Sequence, residues 1–356
     1  MYRILVINPG STSTKFGLFE DATPVLEKTL RHSAAEIARY RSVADQYEFR
    51  EQAILTELAA NNVSLSNLDA VVGRGGLLRP IPGGTYAVSE AMLEDLSSAR
   101  YGEHASNLGA ILAHKLALAA AVPAFIVDPV VVDELQPLAR FSGFPGIQRR
   151  SVMHPLNAKK MARQAARELG RDYSEMDLIV VHMGGGISVG AHHRGRVIDV
   201  NNALDGDGPF SPERSGGLPT VGLVELCFSG KYSQPEIMRL LVGKGGLVAY
   251  LNTNDGREVV QRIESGDEQA RLIYEAMAYQ IAKEIGSAAA VLKGNVEAIV
   301  LTGGLAYDRQ YLVRWIEERV SFIAPVLVYP GEEELLALAE GALRVLGGEE
   351  EAQVYR

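Results

Sequence analysis

The chain holds one cysteine and one tryptophan among 356 residues, and only 7% of it is aromatic. A single cysteine excludes an intrachain disulfide framework and any thiolate-rich zinc or iron–sulfur centre. That residue, Cys227, stands in the apolar stretch Val224-Glu225-Leu226-Cys227-Phe228 and reads as a small buried hydrophobe. Basic excess is also lacking. Thirty-five Lys and Arg against 44 Asp and Glu leave a formal charge of −9, which argues against a broad nucleic-acid-binding face. A small anionic substrate stays compatible with that charge, because a local arginine cluster overrides the global sign. No apolar run approaches roughly 18 residues, so no membrane span is expected. The opening Met1-Tyr2-Arg3-Ile4-Leu5-Val6-Ile7 lacks the parts of a signal peptide, and the expected location is the cytoplasm.

Two nucleotide motifs are missing as well. No Gly-x-x-x-x-Gly-Lys-Ser/Thr occurs; Gly230-Lys231 comes nearest and lacks the leading glycine at position 225. No strand runs into a Gly-x-Gly-x-x-Gly turn. The seven histidines include no His-Glu-x-x-His pair, and their spacing suits no zinc site.

What is present is glycine, 36 residues of it, above the usual level of about 7%. The length favours two domains. Apolar periodicity predicts strands over 3–8, 14–20, 25–30, 70–72 and 124–127, with helices over 42–60, 89–97 and 105–121. The second half repeats this grammar. Strands are expected over 178–181, 187–191, 197–200, 298–301 and 325–328. Helices are expected over 156–169, 221–228, 233–241, 267–292, 307–319 and 333–346. This is an α/β chain. Arg3-Ile4-Leu5-Val6-Ile7-Asn8-Pro9-Gly10 also overlays Asp177-Leu178-Ile179-Val180-Val181-His182-Met183-Gly184, half a chain away. Two such copies imply two related α/β domains.

The glycines cluster in turns after strands. Asn8-Pro9-Gly10-Ser11-Thr12-Ser13-Thr14-Lys15 offers hydroxyls, amides and a lysine to an anion, and fits an ordinary polar hairpin equally well. Gly184-Gly185-Gly186 lose much backbone entropy on folding, which points to close approach of a ligand. Gly303-Gly304 form a third turn. Arg74 lies in Gly73-Arg74-Gly75-Gly76, and Arg214 precedes Ser215-Gly216-Gly217. Guanidinium forks in such turns suit carboxylate and phosphoryl oxygens, while a lone arginine is also an ordinary surface charge. Asp128, Asp205, Asp207 and Glu333 are carboxylates at turns or a helix start, where capping is the alternative role. His182 at a strand end is compatible with a satisfied core histidine.

Together these motifs, with Asp128-Pro129, His182-Met183-Gly184-Gly185-Gly186, Thr302-Gly303-Gly304 and Glu332-Glu333-Glu334, fall in the order of the acetate kinase family, which the whole chain resembles. Gly73–Tyr86, Gly102–Leu108 and Asn201–Gly217 resemble its butyrate kinase branch. The resemblance implies two ribonuclease-H-like, actin-like domains of the sugar-kinase and actin superfamily, each with a mixed five-stranded sheet, and an active cleft between them. Residues 1–172 would form the carboxylate and transferred-phosphoryl side. Residues 173–356 would form the nucleotide side, the last segment 333–356 packing back on the first domain.

The implied reaction is reversible phosphoryl transfer from ATP to a short-chain carboxylate such as butyrate or isobutyrate, with Mg²⁺. Arg74 would hold the carboxylate, and Arg214 the reacting phosphoryl. Asp128 and Glu333 would organise these groups and the metal. Asn8, Ser11, Thr12, Ser13 and Lys15 would face the transferred phosphoryl, Gly184, Gly185 and Gly186 the phosphates, and Gly303 and Gly304 the adenosine side. Two positions depart from the family pattern. Arg150 stands where relatives carry a phosphoryl-contacting histidine, with Arg149 beside it, while the second histidine of that pair is kept as His154. Gly185 replaces an asparagine. A homo-oligomer, at least a dimer, is the implied assembly, with no nucleic acid or membrane partner. The competing classes are a sugar or polyol kinase using Asp205 as base, and a non-catalytic ATP-binding protein.

Overall fold

A computed structural model describes all 356 residues. The chain divides into two compact units, Met1–Val132 with Glu333–Arg356, and Asp133–Glu332.

The first unit is built on β1 (Arg3–Pro9), β2 (Ser13–Glu20), β3 (Thr23–Arg31), β4 (Ala70–Arg74), β5 (Thr85–Ala87) and β6 (Ala124–Val127). Its helices are α1 (Ala34–Ile37), α2 (Tyr47–Ala60), α3 (Glu90–Ser97) and α4 (Asn107–Ala120). β1, β2 and β3 pair antiparallel, while β4 runs parallel to β1 and β6 parallel to β4. β1 is buried on both faces, as its unbroken apolar run requires. Leu5, Ile7, Ile54, Leu58, Leu112 and Leu116 join one core beneath the sheet. Ser89 caps α3 by accepting from the Met92 amide. α4 ends where Ala121 turns left-handed, two residues before Pro123. The strands β1 and β4 end together, because Ile7 pairs with Gly73. α4 rests directly on that edge: a Cβ on Gly73 would lie 2.0 Å from the Gly109 carbonyl oxygen.

The second unit repeats the plan with β7 (Asp177–Met183), β8 (Ile187–His193), β9 (Arg196–Val200), β10 (Ala298–Gly303) and β11 (Val326–Pro330), in the order β11-β10-β7-β8-β9. β7 and β8 start 174 residues after β1 and β2 respectively, so the sequence echo is a structural repeat. Seven helices belong here: α5 (Pro155–Glu168), α6 (Thr220–Phe228), α7 (Gln234–Leu241), α8 (Gly246–Leu251), α9 (Gly256–Glu264), α10 (Glu268–Val291) and α11 (Leu312–Val320). Asp267 caps α10 through the Ala270 amide at 2.9 Å, and its buried side joins Ile179, Val181, Leu301 and Trp315 in one core. α5 covers the other face with Met161, Ala162 and Ala165.

Four expectations need correction. The first sheet has seven strands, not five, in the order β12-β5-β6-β4-β1-β2-β3. The additions are β5 and β12 (Gln353–Val354), which the chain reaches after α12 (Glu334–Leu346) has crossed β1, β4 and β6. The unit boundary lies at 132/133, not 172/173. Glu134 is tied into the second unit by Lys159 at 2.9 Å and by the Val197 amide at 2.7 Å, with Lys159 and Glu134 both only 3% exposed. A charge pair buried so deeply keeps its segment with it. The helix expected from Tyr307 starts at Leu312, after a single 3₁₀ turn over Gly304–Tyr307. Cys227 is exposed. The whole of α6 carries no buried residue, and Phe228 is 87% exposed.

Candidate active site

In the first unit, the ends of parallel strands gather three of the expected residues. Ligands of open α/β sheets bind at such carboxyl ends. Arg74 Nη1 pairs with Glu334 Oε1 at 2.8 Å and donates to Asn8 Oδ1 at 3.3 Å. Asn8 Nδ2 donates to Glu334 Oε2 at 2.6 Å, closing the triangle. Glu334, the residue after Glu333, opens α12 and is the acid paired with this arginine. Glu333 is the N-cap residue of α12 and makes no side-chain capping bond. Asp128 follows β6 and is buried. Its Oδ1 accepts from the Gly84 amide at 2.7 Å, and its φ of 37° lies in the left-handed region, a conformation that stores strain in a non-glycine residue. The glycines around Arg74 have a packing reason. A Cβ on Gly75 would meet Pro129 at 2.4 Å, and one on Gly76 would meet Asn107 at 2.6 Å.

The turn after β1 leaves Ser11 and Thr12 exposed. Ser13 begins β2, and Lys15 sits opposite Asn8 in the ladder, so both side chains share a face. Thr14 is different: it is buried, and its Oγ1 is 2.9 Å from His32 Nε2.

In the second unit, the three glycines after β7 do unlike things. Gly184 and Gly185 line a cleft of about 1070 Å³. Gly186 makes room for Arg214, whose Nη1 would be 1.8 Å from a Cβ there. Arg214 donates to the Ala203 carbonyl, its Nε has no partner, and burial lowers the guanidinium pKa against the pull of Glu213 and Asp205. Gly303 has φ 92°, and a Cβ on it would lie 2.4 Å from the Met183 carbonyl oxygen. It lets β10 close on β7. Gly304, by contrast, faces open space and lines the cleft.

Arg150 is exposed and reaches Asp205 Oδ2 at 2.9 Å. Arg149 is tied to Asp199 at 2.9 Å and to the Ala139 and Val200 carbonyls, a structural assignment. His154 precedes α5 and stacks on His182 with ring centroids 4.1 Å apart. His182 is buried, with Nδ1 2.8 Å from Asn157 Nδ2 and Nε2 3.1 Å from Glu332 Oε1.

Asn254, Asp255 and Arg257 also line the cleft, and the sequence reading did not single them out. Asp255 caps α9, and hydrogen bonds from Arg257 pull its carboxyl down to about 2. Asn254 Nδ2 donates to Glu213 Oε1 at 2.5 Å. The signal was the Asn-Asp-Gly run itself, a turn followed by a capped helix. It was hidden because α9 is short and mostly polar.

A hairpin followed by parallel strands, repeated in two units, is the two-domain ribonuclease-H-like architecture of the actin and sugar-kinase superfamily. The glycine-lined cleft of the second unit lies at the ends of β7 and β10. A family model described as the acetokinase family matches residues 145–324, and the chain belongs to that family. Among solved structures, the acetate kinase of Porphyromonas gingivalis superposes with a TM-score of 0.78 at 20% identity, over 97% of this chain and 100% of that one. A propionate kinase from Francisella tularensis gives 0.72 at 20% identity, over 96% and 99%. The acetate kinase of Entamoeba histolytica gives 0.73 at 17% identity, over 95% and 98%. At these identities the likeness is one of fold.

Proposed function

We propose that the protein transfers a phosphoryl group reversibly between ATP and a short-chain carboxylate, with butyrate or a branched analogue preferred over acetate. The observation that carries this reading is the Arg74–Asn8–Glu334 triangle, in a chain of the acetokinase family. A carboxylic acid with a pKa near 4.3 is already ionised at neutral pH. The enzyme needs no general base for it. The difficulty is bringing one anion to another, and fixed guanidinium groups meet that difficulty directly. Asp205, which a hydroxyl kinase would use as base, is instead paired with Arg150 and Asn202.

The residues fit a nucleotide. The cleft is near the upper end of the usual range of about 300–1,000 Å³ for small-molecule sites. Gly184, Gly185 and Gly304 leave backbone open along it, and Asn254 and Arg257 supply polar groups to the same cleft. Arg214 Nε is a buried donor without a partner, suited to a phosphoryl oxygen. They also fit Mg²⁺, which takes most of its ligands from phosphate and water and needs one or two carboxylates. Glu334 and Asp128 would supply these. When bound, the ion neutralises charge on the transferring phosphate. In this reading the first unit holds the acid and the transferred phosphoryl, and the second holds the nucleotide. Arg74 orients the carboxylate, Arg214 and Arg150 offset developing charge, and His154 packs behind His182 to fix the glycine turn.

Hydroxylamine trapping tests the reading. Purified protein with ATP and Mg²⁺ is given acetate, propionate, butyrate, isobutyrate and glycerol in parallel. Hydroxamate from butyrate or isobutyrate exceeding that from acetate is expected. One extra methylene in an apolar pocket is worth about 1–3 kcal/mol. ADP release with glycerol and no hydroxamate from any acid would move the protein to the hydroxyl kinases.

A further inference from the structure

The hydroxyl-rich turn of the first unit is held from beneath by a residue that its own motif does not contain. Arg50, on α2, is 1% exposed and is among the largest fully buried side chains of the protein. Its Nη1 donates to the Gly10 carbonyl at 2.8 Å, the Ser13 carbonyl at 3.0 Å and Thr14 Oγ1 at 3.1 Å. Its Nη2 donates to the Ser11 carbonyl at 3.3 Å and to Gln46 Oε1 at 2.8 Å, and Nε donates to the same Gln46 oxygen at 3.2 Å. The remaining carbonyl of the turn, that of Thr12, accepts from the His32 amide at 2.9 Å. Every carbonyl from Gly10 to Ser13 is therefore engaged.

The amides behave differently. That of Gly10 closes the turn on the Ser13 carbonyl at 2.7 Å, whereas those of Ser11 and Thr12 have no partner within the chain. A turn whose carbonyls are drawn to one side presents its free amides on the other, the arrangement of an anion-binding nest. The guanidinium itself lacks a carboxylate among its hydrogen-bond partners, although buried charges are normally paired. Burial alone pulls its pKa down, to about 10.

We propose that Arg50 is a positioning residue that fixes the Gly10–Ser13 turn so that the Ser11 and Thr12 amides bind a phosphoryl group, and that this anion is the counter-charge the buried guanidinium lacks. The proposal rests on reading the turn as the phosphoryl-facing part of a carboxylate kinase. It extends that reading to a side chain that never touches substrate.

The test is amide hydrogen exchange over the turn, with and without inorganic phosphate, on the full chain and its Arg50→Met and Arg50→Lys variants. Steady-state kinetics run alongside. In the wild type, phosphate slows exchange at Ser11 and Thr12. In Arg50→Met that protection is lost while exchange in β7 and β10 of the second unit stays native. The variant's kcat falls by about 10²-fold, the scale of a misplaced catalytic group, with the nucleotide KM little changed. A wild-type turn that phosphate leaves unprotected overturns the proposal, as does an Arg50→Met turn that stays protected. If Arg50→Met does not fold, Arg50→Lys decides. Its ammonium has three donors and no fork, so weaker protection and a kcat lowered tenfold or more support the proposal, and wild-type values for both overturn it. Phosphate protection in a wild type that makes no acyl phosphate upholds this proposal and removes the kinase reading alone. Acyl phosphate formation with a normal turn in Arg50→Met removes this proposal alone.

Discussion

Replacing Gly186 by alanine should silence Arg214 without altering any charged residue. A Cβ at Gly186 would lie 1.8 Å from Arg214 Nη1 and 2.6 Å from its Cζ. Those atoms are the end of a flexible side chain, so the guanidinium moves, while the Ala203 carbonyl oxygen, 2.9 Å from the same Cβ, is backbone and must give slightly. Gly186 has no left-handed φ, and alanine brings no backbone strain there. The displaced arginine gives up its bond to the Ala203 carbonyl. A hydrogen bond from a charged group is worth about 1.5–3 kcal/mol. On the proposed function, the same displacement also takes the guanidinium away from the transferring phosphoryl group. A transition-state loss of about 1.5–3 kcal/mol is roughly a 10- to 150-fold fall in kcat/KM. Gly222→Ala is the control. Its Cβ would meet nothing within 4 Å, on the exposed helix α6. The assay is the initial rate of acyl phosphate formation, with unfolding curves to show that both variants are folded. Gly186→Ala retaining kcat/KM within about threefold would refute the placement of Arg214.

Other consequences follow from the same geometry. Glu334→Gln should raise the Mg²⁺ requirement and lower kcat/KM by at least about tenfold, as read from activity against Mg²⁺ concentration. Gly73→Ala should destabilise the first unit by about 3 kcal/mol or more, the upper end of overpacking costs, because the Gly109 carbonyl cannot yield; urea unfolding measures it. His192 is buried with its pKa pushed down to about 3, chiefly by desolvation. The unfolded state binds that proton near pH 6.5 and the folded state does not. Stability is then complete above pH 6.5 and falls as pH drops towards 3, by up to about 1.4 kcal/mol per pH unit. His192→Gln should flatten the part of this slope between pH 6 and 4, as seen in unfolding free energies measured across that range.

Much of this fold was legible because buried strands announce themselves. β1 and β7 are continuous apolar runs ending in small residues, and their likeness revealed the repeat. β5 and β12 escaped because runs of three and two residues carry no period. Cys227 misled for the opposite reason. Its helix is apolar in sequence, but nothing in the second unit covers it, and tertiary placement overrides composition.

The site was legible as a set of turns more than as a set of roles. Asn8, Arg74, Asp128 and Arg214 stand at strand ends or glycine turns, as the motifs implied. The sequence reading names Glu333, while the acid paired with Arg74 is Glu334; adjacent helical residues point about 100° apart, and the sequence gives no axis to measure from. The glycines around Arg74 make room for Pro129 and Asn107, neighbours that no local pattern in the sequence reveals. Arg50 was invisible, since a basic residue in an amphipathic helix ordinarily belongs to the solvent face.

Transfer between an acyl phosphate and a nucleotide is easiest to observe in the reverse direction. Chemically prepared butyryl phosphate is mixed with ADP, Mg²⁺ and the protein, and ATP is read by luciferase. The wild type should form ATP rapidly, and Arg74→Ala should lose several kcal/mol of transition-state stabilisation, which is at least about 10²-fold in rate. No ATP from butyryl, isobutyryl or acetyl phosphate, or equal rates in the wild type and Arg74→Ala, would contradict the proposed function.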